Sequence, residues 1–196
     1  MNMSLRIQTT GEAPGGMTQV MTADYINAVQ EVEISTNRMD APGKLVFTGL
    51  QSGIAEALEG RMVEFTADGI KMFKGYVFAT EQKRHGEITW TAYDQLRYLK
   101  AHASYVFENM SLSQIIQRIA SDFGLETGSL ADTGYQFPCL IKEDESCLDI
   151  IFEALYETII QTGKIYLFYD NAGVLTLVEA KDLFVQSLLG DGSLVI

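Results

Sequence analysis

Two hydrophobic rhythms divide the chain. In the first half, apolar and polar residues alternate in short runs, most clearly in Ala28–Ile34 (AVQEVEI) and Glu87–Ala92 (EITWTA), the pattern of a sheet wet on one face. Further runs rich in Val, Phe, Thr and Tyr fall at Leu5–Ile7, Lys44–Thr48, Arg61–Thr66 and Lys71–Thr80. Ala41-Pro42-Gly43, Asp68-Gly69 and Arg84-His85-Gly86 separate them as turns. Asp68-Gly69 is the best hairpin turn, because glycine accepts a positive φ without a Cβ clash. Gly53–Leu58 predicts a short helical turn inside a connection, and residues 11–16 (GEAPGG) a loop or arm. Six strands at this spacing predict a small antiparallel barrel or sandwich.

The second half changes period. From Ser111 to Phe123, Leu112, Ile115, Ile116, Ile119 and Phe123 fall on one helical stripe, with Ser111 and Gln114 spaced as a capping box and Gly124 as the stop. A second helix starts at Ser146, with Asp149 three residues on. It continues through Leu148, Ile151, Phe152, Leu155, Ile159 and Ile160 to Gly163. Lys164–Tyr169 and Val174–Glu179 then read as a hairpin around Asp170-Asn171-Ala172-Gly173, and Lys181–Leu189 as a final short helix or turn. Helix, irregular link, helix and hairpin make an α+β module.

Charge sharpens the division. The 196 residues carry a formal net charge of −12, distributed unevenly. Residues 1–101 hold 12 acids and 10 bases, whereas residues 102–196 hold 14 acids against only Arg118, Lys142, Lys164 and Lys181. So acidic a half repels phosphate backbones, which excludes it as a nucleic-acid reader. No run reaches the ~18 apolar residues of a membrane span. The opening MNMSLRIQTTGEAPGG lacks the basic and apolar regions of a secretory signal.

Candidate chemistry is sparse. Glu143, Asp144 and Glu145 form an acid cluster; paired carboxylates can hydrolyse glycosides, yet these also precede a helix N-terminus, where the macrodipole favours negative charge. His85 and His102 have no nucleophile or ligand spacing nearby. Cys139 and Cys147 sit among apolar neighbours and read as buried free thiols. Thr127-Gly128-Ser129 and Thr133-Gly134-Tyr135 are turn chemistry rather than phosphate loops. Tyr98, Tyr105, Phe107, Tyr135 and Phe137 can fill a core and seam or form a glycan-stacking platform. No residue is assigned a catalytic, cofactor-binding or metal-binding role, no cofactor is implied, and the reading is non-enzymatic.

The residues 92–125 (AYDQLRYLKAHASYVFENMSLSQIIQRIASDFGL), then Asp132–Pro138 (DTGYQFP), the Glu145–Tyr156 helix start and residues 162–183 (TGKIYLFYDNAGVLTLVEAKDL) closely resemble XkdQ-type proteins. These are hub proteins of contractile phage tails and of related prophage and tailocin particles, and are distantly similar to late control gene D proteins and the N-terminal part of VgrG proteins. Glu145, Ser146, Asp149, Gly163, Tyr166 and Tyr169 follow the order of the wider group. The resemblance is specific over about residues 87–182 and weaker over 1–86.

It implies an N-terminal tail-tube-like antiparallel β-barrel over 1–101 and an inserted α/β module of two helices and a hairpin over 102–182. Residues 183–196 would be the start of a second barrel or a C-terminal tail. It also implies a baseplate protein made in the bacterial cytoplasm and carried in the virion. Such a protein forms a trimeric ring that joins the tail tube protein to the spike, with the tape measure protein a further partner and no membrane or specific nucleic acid. The resemblance itself names no interface residues. The alternatives are a cell-wall glycan-binding module using the aromatic set and a wall-degrading enzyme using the acidic cluster.

Overall fold

The computed structural model describes residues 2–13, 17–36, 41–50, 58–83 and 86–183. Seven strands form one antiparallel sheet: β1 (Met3–Ala13), β2 (Met17–Asp24), β3 (Val29–Ser35), β4 (Lys44–Leu50), β5 (Met62–Ala67), β6 (Ile70–Gln82) and β7 (Glu87–Tyr93). Their order across the sheet is β2-β1-β5-β6-β7-β4-β3. Alternation does what it predicts. In β7 the even positions Ile88, Trp90 and Ala92 are buried and the odd ones face outward, and in β4 Leu45 and Phe47 are buried while Lys44 and Val46 face outward.

These inward side chains, with Leu5, Ile7, Leu58, Val63, Phe65, Phe73 and Val77, form one core. Trp90 stacks on Phe47 within it, the ring centroids 5.3 Å apart. Asp68 and Gly69 both have positive φ, 48° and 80°, and join β5 to β6 in the two-residue turn that matches strand twist.

The expected antiparallel β domain is present as a half-barrel, open among the described residues. Closure would require β2 and β3 to exchange ladder hydrogen bonds, and among the described residues they end the sheet on opposite sides. The arm expected at 11–16 is partly strand: β1 runs to Ala13 and keeps pairing with β2 beyond Ile7, where its pairing with β5 has stopped. The helical turn expected at Gly53–Leu58 and the turn residues Arg84 and His85 lie outside the described residues, save Leu58, which is buried.

The second half is built around two helices, α1 (Leu112–Asp122) and α2 (Cys147–Thr162), where the caps and stripes place them. The Ser111 hydroxyl accepts from the Gln114 amide while Gln114 Oε1 accepts from the Ser111 amide at 2.8 Å, completing the capping box. Gly163 closes α2 at φ 67°, its amide donating to the Ile159 carbonyl.

The "irregular link" is corrected to strands. β8 (His102–Ser111) and β10 (Gln136–Ser146) form a two-stranded ribbon. β9 (Thr127–Leu130), over residues that read as a turn, pairs parallel with β12 (Leu175–Glu179), itself the partner of β11 (Tyr166–Asp170). Pro138 and the acids of β10 hid that strand, but an edge strand tolerates both.

Leu112, Ile115, Ile116, Ile119, Leu148, Ile151, Phe168 and Leu177 belong to a second core, separate from the first, which also takes in Leu96 and Leu99 of the 3-10 turn Gln95–Lys100. Within the expected final helix, Ala180–Asp182 is a single 3-10 turn and residues 184–189 lie outside the described residues.

Candidate functional site

The chain between the two cores carries the most constrained polar chemistry. Asp94 directly follows β7 and is 6% exposed. Its Oδ1 accepts from the Leu96 amide at 3.0 Å, capping the Gln95–Lys100 turn, and its Oδ2 accepts from the Gly43 amide at 2.7 Å. A Cβ at position 43 would stand 2.5 Å from Asp94 Oδ2, so any larger residue there would displace the carboxyl from its two amide partners.

Gln95 then joins the halves. Its Nε2 donates to Asp170 Oδ2 at 2.9 Å and its Oε1 accepts from the Glu126 amide at 3.1 Å, tying the connection to the β11–β12 turn and to the chain after α1. Asp170 Oδ1 accepts from the Gly173 amide. Lys74 of β6 reaches the same place, 3.8 Å from Glu126, and its side chain fills the space a Cβ on Gly173 would need.

Burial sets the electrostatics of this seam. Desolvation, with the nearby Asp170 charge second, raises the Asp94 pKa from 3.8 to about 7 despite the two amide hydrogen bonds. Asp170 is also raised, by burial first, with the Gly173 amide, Gln95 and Lys74 opposing. A cleft beside the pair is lined by Thr36, Gly43, Leu96, Tyr169 and Leu183. It holds two carboxyls, whose oxygens all accept from backbone amides or from Gln95. Its chemistry is that of a clasp between halves.

The residues singled out by sequence do not converge. Glu143 and Asp144 are exposed, and Asp144 takes φ 50° at a break in the β8–β10 register. Glu145 turns to Lys142, which also pairs with Glu153. His102 Nδ1 lies 2.9 Å from the Asp144 carbonyl oxygen on the surface; His85 lies outside the described residues.

Cys147 is buried and free, but Cys139 is exposed, a correction that follows from its outward position in β10 opposite Glu108. Among the described residues, no three His, Cys, Asp or Glu side chains are grouped to hold a metal ion, and no helix is long and apolar enough to cross a membrane. Of the aromatic set, Phe107 and Phe137 are core, each packed on its neighbour Tyr105 or Tyr135, while Tyr98 stands apart against Tyr76 and Phe78. Of the motif residues, Ser146 caps α2 by accepting from the Asp149 amide, Gly163 ends it, and Tyr166 enters the core.

Sequence reasoning missed Asp94, Gln95 and Asp170, since each looks ordinary in its own turn. It also missed a surface cluster: Arg97 lies 5.7 Å from the ring centroids of both Phe78 and Tyr93, beside Tyr98.

Comparison with known proteins places this fold. The chain is 42% identical over 171 residues to the uncharacterized protein YqbQ of Bacillus subtilis (strain 168), covering 84% of this chain and 52% of that protein. It is 45% identical over 121 residues to the phage-like element PBSX protein XkdQ of the same organism, covering 61% of this chain and 37% of that one. The chain thus spans about half the length of YqbQ and less of XkdQ.

Among solved structures, the prophage MuSo2 43 kDa tail protein from Shewanella oneidensis superposes with a TM-score of 0.63 at 17% identity, over 89% of this chain and 52% of that one. The tail protein from Neisseria meningitidis MC58 gives 0.61 at 12% identity, over 90% and 50%. These two share the fold. The YqbQ-like family profile matches residues 32–196, well beyond the segment where the motif resemblance is strongest, and the chain belongs to that family.

Proposed function

We propose that this chain is a structural, non-catalytic component of a phage tail or tail-like particle, acting in the baseplate hub that joins the tail tube to the central spike. The observation that carries the reading is the open seven-stranded sheet. Among the described residues, β2 and β3 leave unpaired ladder groups on opposite sides, and the β1–β2 ribbon extends past β5. Unpaired edges are costly in a free protein and useful in an assembly, where neighbouring sheets complete them.

Kinship with a phage-like element protein and a fold shared with prophage tail proteins support the same reading. In it, residues 1–101 are the tube-like domain and 102–182 the inserted module, with the passage from one core to the other lying between Ala92 and Leu96. The protein is made in the cytoplasm and ends in the virion as a homotrimer, with tube, spike and tape measure proteins as partners. The glycan-platform alternative loses support because Phe107 and Phe137 are buried, and the enzyme alternative because Glu143, Asp144 and Glu145 diverge.

Co-expression of the chain with a phage tail tube protein and a spike protein, followed by light scattering, tests the reading. Stoichiometric rings with either partner are expected. A chain that co-purifies with neither, and clears peptidoglycan in a zymogram, overturns it.

A further inference from the structure

Two exposed faces of this chain are apolar and opposite in charge. The first is the aromatic platform on the outside of the sheet. Phe78 is 40% exposed and Tyr98 38%, and Tyr93 packs on Phe78. Over Phe78 and Tyr93 lies the exposed Arg97 guanidinium, which has no carboxylate within ion-pair distance among the described residues. A planar cation held against rings, with its edge bare, is the composition that concentrates binding energy at protein contacts.

The second face lies on α2. Ile160, expected on the core stripe, is 61% exposed, and Tyr156 beside it is 67% exposed, with Phe152 half-buried on the same side. Asp149 stands on the same stripe, seven residues before Tyr156, and these four line one shallow groove. Its carboxylate has no cation within ion-pair distance among the described residues.

Charge decides what can cover each face. All four cations of residues 102–196 are already engaged: Arg118 by Asp122, Lys142 by Glu145 and Glu153, and Lys164 and Lys181 by Glu179. This half therefore cannot neutralise its own excess of acid, and two α2 faces brought together would repel. Both faces are exposed in the single chain, so they do not cover one another within it.

We infer that the Phe78–Tyr93–Arg97–Tyr98 platform of one copy docks on the Asp149–Phe152–Tyr156–Ile160 face of α2 in a second copy, with Arg97 meeting Asp149. The contact is head-to-tail, and each copy offers one face of each kind. Such contacts close into rings when the rotation allows. The inference rests on the assembly reading above and names an interface for it.

Sedimentation velocity over a concentration series tests the contact, with the fold of every variant checked by circular dichroism. The wild type is expected to self-associate. Arg97→Glu and Asp149→Arg should each weaken association about 10-fold or more. Tyr156→Ser, which leaves charge unchanged, should weaken it too. The variant carrying both Arg97→Glu and Asp149→Arg should recover most of the loss. An equimolar mixture of the two single variants should recover association, because both contacts between unlike variants pair opposite charges while both contacts between like variants repel.

Folded single variants that associate like the wild type overturn this interface while leaving assembly through other surfaces intact. A wild type that stays monomeric at high concentration also overturns it. Binding to tube and spike proteins then decides the broader function on its own.

Discussion

Replacing Asp94 by Asn should flatten the pH dependence of stability. The carboxyl sits between the two cores, 6% exposed, and burial raises its pKa from 3.8 to about 7. Between these values the folded protein keeps the proton and the unfolded chain has released it. Stability from this group is therefore complete below about pH 4 and is lost as pH rises through 7. Each pH unit in the window corresponds to about 1.4 kcal/mol, so the full span is worth about 4 kcal/mol, and the interval from pH 5 to 8 roughly 2–3 kcal/mol.

Asp170, raised in the same direction, adds to the slope, whereas the lowered Asp24 and Glu59 act at more acid pH and are common to both proteins. Asn cannot accept from both the Gly43 and Leu96 amides, so the variant starts lower by about 1–2 kcal/mol. That offset is independent of pH; the slope is the test. The single tryptophan, Trp90, lies four residues away in the adjoining core and reports urea unfolding at each pH. Wild-type and variant curves that run parallel from pH 5 to 8 would refute the argument that Asp94 is folded in its protonated form near neutrality.

Three further outcomes follow from packing. Tyr166→Phe should stabilise the second half by ~1 kcal/mol in thermal denaturation, since the Tyr166 hydroxyl is buried with no hydrogen-bond partner among the described residues. Gly75→Ala should destabilise the sheet by about 2 kcal/mol or more, because its Cβ would stand 2.2 Å from the Tyr93 carbonyl oxygen, and backbone there cannot yield cheaply. Ser111→Ala should cost ~1 kcal/mol by removing the capping box of α1, read as a lower urea midpoint with an unchanged slope.

The parts of this fold that sequence makes legible are those whose cause is local. Both helices announce themselves through Ser111, Ser146 and Gly163, and the β5–β6 hairpin through Asp68-Gly69, because caps and turns are decided within four residues. β2, β8, β9 and β10 are decided elsewhere. Thr127-Gly128-Ser129 carries turn residues, yet it becomes strand because β12, nearly fifty residues later, supplies a parallel partner.

Nor does helical periodicity distinguish a stripe that meets a core from one that runs past it. Ile151 and Ile160 look alike in sequence, but one is buried and the other exposed. The seam was invisible for a similar reason. Asp94 and Asp170 are separated by 76 positions, and only the packed fold brings their charges close enough to oppose each other.

The strand order carries a consequence for how the protein is made. β1–β2 and β3–β4 are hairpins of neighbouring strands, available as soon as they leave the ribosome, but they do not touch each other through the ladder. The meander β5-β6-β7 is synthesised last and inserts between them, β5 taking β1 and β7 taking β4. Until Tyr93 has emerged, two nascent ribbons wait with their inner margins unsatisfied. Such long-range joining is slow compared with local closure. Translation pauses or chaperone contact would therefore matter most between the completion of β4 and the arrival of β7, and a truncation anywhere in that interval would release one chain bearing two sticky ribbons instead of a smaller sheet.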